Sequence, residues 1–180
     1  MGKGKEIEIK VLNIDLNHME KQLIDLGAKL VAKEYQKNII LDSKDNYIEK
    51  VLNSYLRIRE TKNLLTKKVE TKLTLKKNVS NEGVRENIEI TTQIEDKDSL
   101  IAILKDLGYE IIEKGYKERK SYLYDKIRFD LDIWDEDTYP NPYMEIEVEN
   151  EEDLEKAIEL LNIDKTNIST KSIVELKEEL

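Results

Sequence analysis

The chain has 180 residues, 38% of them charged and 39% hydrophobic, with one histidine and no cysteine; the missing cysteines exclude disulfides, thiolate catalysis and cysteine-based metal sites. A net charge of −9 argues against a general nucleic-acid binder, which needs a basic face, but leaves room for a locally basic pocket. Two prolines, six glycines and Ile, Leu and Val in regular phase exclude low complexity and disorder; no apolar run reaches the length of a membrane span and Met1–Lys5 is too short and polar for a signal peptide, so a cytoplasmic protein without membrane attachment is expected.

Residues 5–11 read as a strand. The spacing of Leu16, Met19, Leu23, Ile24 and Leu26 predicts a helix over 15–26, closed by Gly27. A strand over 31–41 follows, and Ile48, Val51 and Leu52 suggest one or two helical turns within 44–53. Strands are predicted over 54–60, 68–76 and 84–92, with a turn at Asn78–Gly83 before the last. A helix over 97–107 ends at Gly108. Strands over 117–124, 126–134 and 143–149, a helix over 151–161 and a last one over 171–179 complete the chain. Asp25-Leu26-Gly27 and Asp106-Leu107-Gly108 end two helices alike, which suggests an internal duplication of a strand–helix–strand unit. Many strands joined by short hairpins imply an α+β fold with antiparallel sheet and amphipathic helices on its apolar face.

The strands share an unusual pattern: charges at every second position, with apolar residues between. Glu6-Ile7-Glu8-Ile9-Lys10, Leu56-Arg57-Ile58-Arg59, Lys72-Leu73-Thr74-Leu75-Lys76, Arg128-Phe129-Asp130-Leu131-Asp132 and Met144-Glu145-Ile146-Glu147 all have it. Successive side chains in a strand point to opposite faces, so each segment has one greasy and one charged face. An open sheet would expose the charged face to water. A closed barrel of eight strands would gather Lys10, Arg57, Arg59, Lys72, Lys76, Arg85, Lys117, Arg119 and Arg128 inside, with Glu6, Glu8, Glu89, Asp130, Asp132, Glu145 and Glu147. A dry interior could not hold these charges; a wide, wet tunnel whose ligand brings compensating charge could.

Glu6-x-Glu8-x-Lys10, Leu56-Arg57-Ile58-Arg59-Glu60, Thr74-Leu75-Lys76, Lys117-x-Arg119, Leu131-Asp132 and Pro142-Tyr143-Met144-Glu145-Ile146-Glu147 occur in the order of the CYTH family, the triphosphate tunnel metalloenzymes, which the chain resembles over nearly its whole length. The resemblance implies a single domain over 1–180, a closed eight-stranded antiparallel barrel with helices packed outside, a triphosphate substrate and Mg²⁺ or Mn²⁺ as cofactor. Members include inorganic, thiamine and RNA triphosphatases and class IV adenylate cyclases. Two departures stand out. The C-terminal Ser-Tyr-x-x-Leu-like motif reads Ser172-Ile173-Val174-Glu175-Leu176 here, and the His-Phe pair of the cyclase branch is absent before Glu6.

The residue types suit that chemistry. A triphosphate carries about four negative charges near neutral pH. Arg grips its oxygens with planar forks, and Lys acts as a point charge: Lys10, Arg57, Arg59, Lys72, Lys76, Arg85, Lys117 and Arg119 are the expected substrate contacts. Carboxylates make sense only as ligands for hard cations. Glu6 and Glu8, about 6.6 Å apart along one strand face, would meet Glu145 and Glu147 if the first and last strands adjoin, with Glu89 and Asp132 completing the metal set. Glu6, Glu8, Lys10, Glu145 and Glu147 form the expected catalytic group. The expected function is a metal-dependent phosphohydrolase acting on tripolyphosphate, ATP or thiamine triphosphate. The alternatives are a class IV adenylate cyclase, the preference for a hydrolase resting on the missing His-Phe pair, and a non-catalytic polyphosphate-binding module. A homodimer is compatible with the sequence. His18 is expected on an exposed helix face, Phe129 and Trp134 in packing, and Tyr122 in the core or at the substrate.

Overall fold

The computed structural model describes residues 5–80 and 85–180, with only the backbone of residues 5, 6, 80 and 85. The strands are β1 (Lys5–Val11), β2 (Lys29–Ser43), β3 (Ser54–Asn63), β4 (Val69–Ser80), β5 (Arg85–Gln93), β6 (Tyr109–Tyr124), β7 (Ile127–Trp134), β8 (Tyr143–Val148) and the two-residue β9 (Ile168–Ser169). The helices are α1 (Leu16–Asp25), α2 (Tyr47–Lys50), α3 (Lys97–Asp106), α4 (Glu151–Leu160) and α5 (Ile173–Lys177).

All pairings are antiparallel. The strands run β5-β4-β3-β2-β6-β7-β8-β1, and β1 closes the ring on β5. β9 extends the β5 side of β1 at Lys10 and Val11. The expected eight-stranded barrel is therefore present. Residues 81–84, which hold most of the expected turn at Asn78–Gly83, lie outside the described residues, and β4 runs to Ser80.

The alternation in sequence becomes two environments. Outward side chains Ile7, Ile9 and Val11 of β1, Phe129 and Leu131 of β7, and Met144, Ile146 and Val148 of β8 are buried beneath Met19 and Leu23 of α1 and Leu154, Ala157 and Ile158 of α4. The main core thus lies outside the barrel wall. Tyr122 belongs to it, its hydroxyl donating to Glu20 at 2.6 Å, so of its two expected places it takes the core. Each fully buried Leu, Ile or Phe there contributes about 1.5–3 kcal/mol. Coverage is one-sided: α3 buries no residue, and Ile90, Ile103 and Leu107 stay exposed.

Helix ends follow local chemistry. The side chains of Asp15, Asp96 and Asn150 accept from the backbone N–H three residues on, capping α1, α3 and α4. Gly27 and Gly108 adopt φ of +90° and +91° just after α1 and α3, the left-handed geometry of a helix stop that favours glycine. The matching Leu-Gly stops lead into β2 and β6, which pair with each other, as β1 pairs with β5. That reciprocal pairing is the arrangement a duplicated strand–helix–strand unit would adopt.

Candidate active site

The barrel encloses a cavity of about 1060 Å³, lined by lumen-facing side chains of all eight wall strands and by Ser172–Val174 of the α5 end. Glu8, Lys10, Arg57, Arg59, Lys76, Glu89, Lys117, Arg119, Arg128, Glu145 and Glu147 all border it. The two end strands meet as the sequence implied: in the β1–β8 register Glu8 lies opposite Glu147 and Lys10 opposite Glu145. For Glu6 and Arg85 only the backbone is described, so their assigned roles lie outside the described side chains. Lys72, an expected substrate contact, does not border the cavity; its half-exposed amine pairs with Glu70 at 3.3 Å near the strand's outer end.

The charged groups divide into two sets. In the first, cations are satisfied by acids. Arg119 donates through Nε and Nη2 to both oxygens of Asp132 at 2.6 Å, through Nη1 to Asp130 at 2.5 Å and through Nη2 to Glu145 at 2.5 Å. Lys117 Nζ donates to Asp132 at 2.8 Å. Lys76 Nζ sits 3.1 Å from Glu8 and 3.2 Å from Glu89, and Lys10 lies 3.6 Å from Glu145. Asp130 and Asp132 are almost wholly buried, below the cavity surface, where they anchor Arg119 and Lys117. Burial pushes Glu145 upward, but Arg119, Lys117 and Lys10 outweigh it and hold its carboxyl well below the usual range. Glu8 is likewise lowered, burial being overcome by Lys76 and Lys10.

The second set lacks charged partners among the described residues. Arg57 and Arg59, adjacent inward positions of β3, make no ion pair among the described residues. Arg57 donates only to the Tyr55 hydroxyl at 3.4 Å, and its buried Nε has no acceptor. Arg59 Nε donates to the carboxamide oxygen of Asn38 at 2.7 Å. Burial and the neighbouring cations Arg57 and Arg119 push the Arg59 guanidinium down to about 9. A guanidinium stays protonated at neutral pH, so the depression expresses a missing counter-anion.

Glu147 is the acidic counterpart. It has no hydrogen bond or ion pair among the described residues, and burial together with Asp130 raises its pKa although Arg128, opposite it in the β7–β8 register, works the other way. A divalent cation would relieve this crowding of negative charge. Among the described residues no three acidic side chains converge into a ready-made cation cage. Glu8 and Glu147, facing each other across β1 and β8, nevertheless fit the way Mg²⁺ is held, by one or two carboxylates with water and substrate oxygens completing the shell. Of the other expected ligands, Glu89 faces the cavity beside Lys76, while Asp132 has both oxygens engaged by Arg119 and Lys117.

Sequence reasoning overlooked several lumen residues. Gln36 and Asn38 occupy inward positions of β2, and their polar character in the phase of Arg57 and Arg59 was the available signal. Trp134, expected only in packing, borders the cavity: Lys117 Nζ lies 5.0 Å over its ring, and its indole N–H donates to the Tyr143 hydroxyl at 2.8 Å. Ser172 caps α5 in a reciprocal capping box with Glu175, and Leu176 is buried with Tyr139 and Tyr143. The Ser and Leu ends of the C-terminal motif therefore keep their places, with Ile173 where the tyrosine would stand.

Comparison with known proteins agrees with this geometry. The CYTH domain profile matches residues 4–174. A Methanocaldococcus jannaschii protein named as a candidate adenylate cyclase is 33% identical, over 96% of this chain and 98% of its own. Among solved structures, two Pyrococcus horikoshii proteins superpose with TM-scores of 0.79 and 0.77 at 22% and 21% identity, covering 97% and 95% of this chain and 98% of each of theirs. A Hippeastrum protein, described as a candidate adenylyl cyclase with a dominant triphosphatase activity, superposes at 0.73 with 15% identity over 97% of this chain and 95% of its own. At such identities the structures speak for the fold; the profile and the M. jannaschii relative speak for descent. The chain belongs to the CYTH family.

Proposed function

We propose that this protein is a divalent-cation-dependent phosphohydrolase that binds tripolyphosphate or a nucleoside or other organic triphosphate in its tunnel and releases the terminal phosphate. The observation that carries this reading is the pair Arg57 and Arg59: two inward guanidiniums with no acidic partner among the described residues, in a cavity whose other cations have theirs. Unpaired charge in such surroundings is costly, and a polyanion supplies the missing partner. Arg57 and Arg59 grip non-bridging oxygens, while Lys10, Lys76 and Lys117 add positive potential from β1, β4 and β6. Arg119, locked by three carboxylates, keeps the wall rigid. Glu8 and Glu147 are the side chains that would hold Mg²⁺ or Mn²⁺, with Glu6 from the same strand. Such a cation, when bound, offsets developing charge on the phosphates and lowers the pKa of a coordinated water.

The name of the M. jannaschii relative supports a second reading, an adenylate cyclase, in which the ribose 3′ oxygen attacks the α-phosphate within the same charged cradle. Incubation of the purified protein with tripolyphosphate, ATP and thiamine triphosphate, each with Mg²⁺ and with Mn²⁺, separates the two. Orthophosphate release is the expected result. Cyclic AMP with pyrophosphate from ATP would replace the first reading by the second, and binding without turnover of any of the three would leave a polyphosphate-binding module.

A further inference from the structure

Arg119 and Arg59 both line the cavity, yet they are held in opposite ways. Arg119 is fixed by carboxylates, which orient it and cancel its charge. Arg59 is fixed at Nε by a neutral carboxamide, Asn38 Oδ1 at 2.7 Å, leaving Nη1 and Nη2 without a hydrogen bond among the described residues. Asn38 is 4% exposed and sits directly opposite Arg59 in the β2–β3 register. A guanidinium can only donate, so the amide atom facing it must be oxygen, which commits the nitrogen to the other side. There Nδ2 is buried and meets no acceptor, an uncommon condition for a buried donor.

For the stability of the empty protein, Asn is a poor choice at this position. An aspartate of nearly the same shape would pair with Arg59 and remove the orphan donor. It would also neutralise the guanidinium.

We propose that Asn38 is a positioning residue for the triphosphate: an uncharged clamp that sets the rotation of the Arg59 fork while leaving its positive charge available to the substrate. The inference rests on the reading of the tunnel as a triphosphate site. It explains why β2 sets a neutral amide, and not an acid, opposite Arg59, and it assigns the function of the Asn38–Arg59 pair to substrate affinity instead of barrel stability.

Calorimetric titration with tripolyphosphate in EDTA, where turnover cannot interfere, tests this alongside thermal unfolding. Asn38→Ala should weaken binding about tenfold in the presence of Arg59 and change nothing further in an Arg59→Met background, because the clamp acts only through the guanidinium. Asn38→Asp should raise the melting temperature while weakening binding more than the alanine variant does, opposite movements that a purely structural role would not produce. Wild-type affinity in Asn38→Ala, an equal loss in both backgrounds, or a lowered melting temperature in Asn38→Asp would each overturn the inference alone. Failure of the wild-type protein to bind tripolyphosphate would overturn the functional reading with it.

Discussion

Glu145 and Glu147 are two residues apart on one face of β8, yet their surroundings drive them in opposite directions. Arg119, Lys117 and Lys10 hold Glu145 ionised, whereas burial and Asp130 push Glu147 upward. Their substitutions should therefore separate. Glu147→Gln is expected to abolish metal-dependent turnover with little change in melting temperature, since it breaks no described ion pair. Glu145→Gln should destabilise the fold by about 1–3 kcal/mol, because it takes one of three carboxylates from Arg119 and the partner of Lys10; denaturant unfolding of the two variants side by side measures the contrast. Arg59→Met is predicted to behave as the mirror image of Glu147→Gln at the substrate: tripolyphosphate affinity falls by about a hundredfold, while the melting temperature rises because a half-buried charge without a counter-anion is gone. A fall in melting temperature would show that Arg59 contributes more stability than its uncompensated charge costs. None of this division was legible in the sequence. Strand parity places Glu145, Glu147, Arg59 and Arg119 on the lumen side, but whether each is neutralised depends on which residue the neighbouring strand sets opposite it.

Elements were legible to the extent that their signals are local. The apolar spacing of α1 and the stops at Gly27 and Gly108 placed α1 and α3 within a residue or two, because a helix stop is chemistry between near neighbours. β6 was half missed: it begins at Tyr109, not residue 117. Gly115 interrupts its pattern, and a glycine in a strand interior normally weakens it. The structure explains the glycine. A Cβ there would lie 2.5 Å from Thr138 Oγ1 and 3.1 Å from Trp134 Cζ3, so residues from β7 and the loop after it fold tightly over this point. Gly115→Ala should accordingly cost about 1–3 kcal/mol and displace Trp134, readable as a change in its fluorescence; an unperturbed spectrum and stability would mean the loop is free to yield. The helix at the C-terminus is shorter than expected, Ile173–Lys177, because its hold on the barrel comes from Leu176 packed with Tyr139 and Tyr143, a contact that helical periodicity does not reveal.

At the scale of the whole molecule, the tunnel makes positive charge expensive to keep and useful to have. Burial first, then Arg119, depress Lys117 to about 8 from the ordinary 10.5, Asp132 only partly opposing them. The consequences for stability and for binding have opposite signs. Between about pH 8 and 10.5 the unfolded chain holds this proton more tightly than the fold does, so the residue's contribution to stability improves as pH rises. Substrate attraction weakens over the same range, because a lumen cation is lost. The free-enzyme profile of kcat/KM should thus fall above about pH 8, and Lys117→Met should remove that limb. A flat profile to pH 10 would show that Lys117 stays protonated or contributes no binding.

The sequence by itself determined that these strands are two-faced and antiparallel, where the main helices start and stop, and, through motifs in family order, that the charged faces enclose a common tunnel. Those properties depend on side-chain period and on neighbours a few residues apart. Only the tertiary structure decided that β1 joins β8 to β5, that Lys72 falls away from the cavity, and that Asp132 is spent on Arg119 and Lys117 while Arg57, Arg59 and Glu147 are left without an ion-pair partner among the described residues. Ion pairing is set by registers between strands far apart in the chain, and electrostatic energy at these distances changes steeply with which charges are brought face to face.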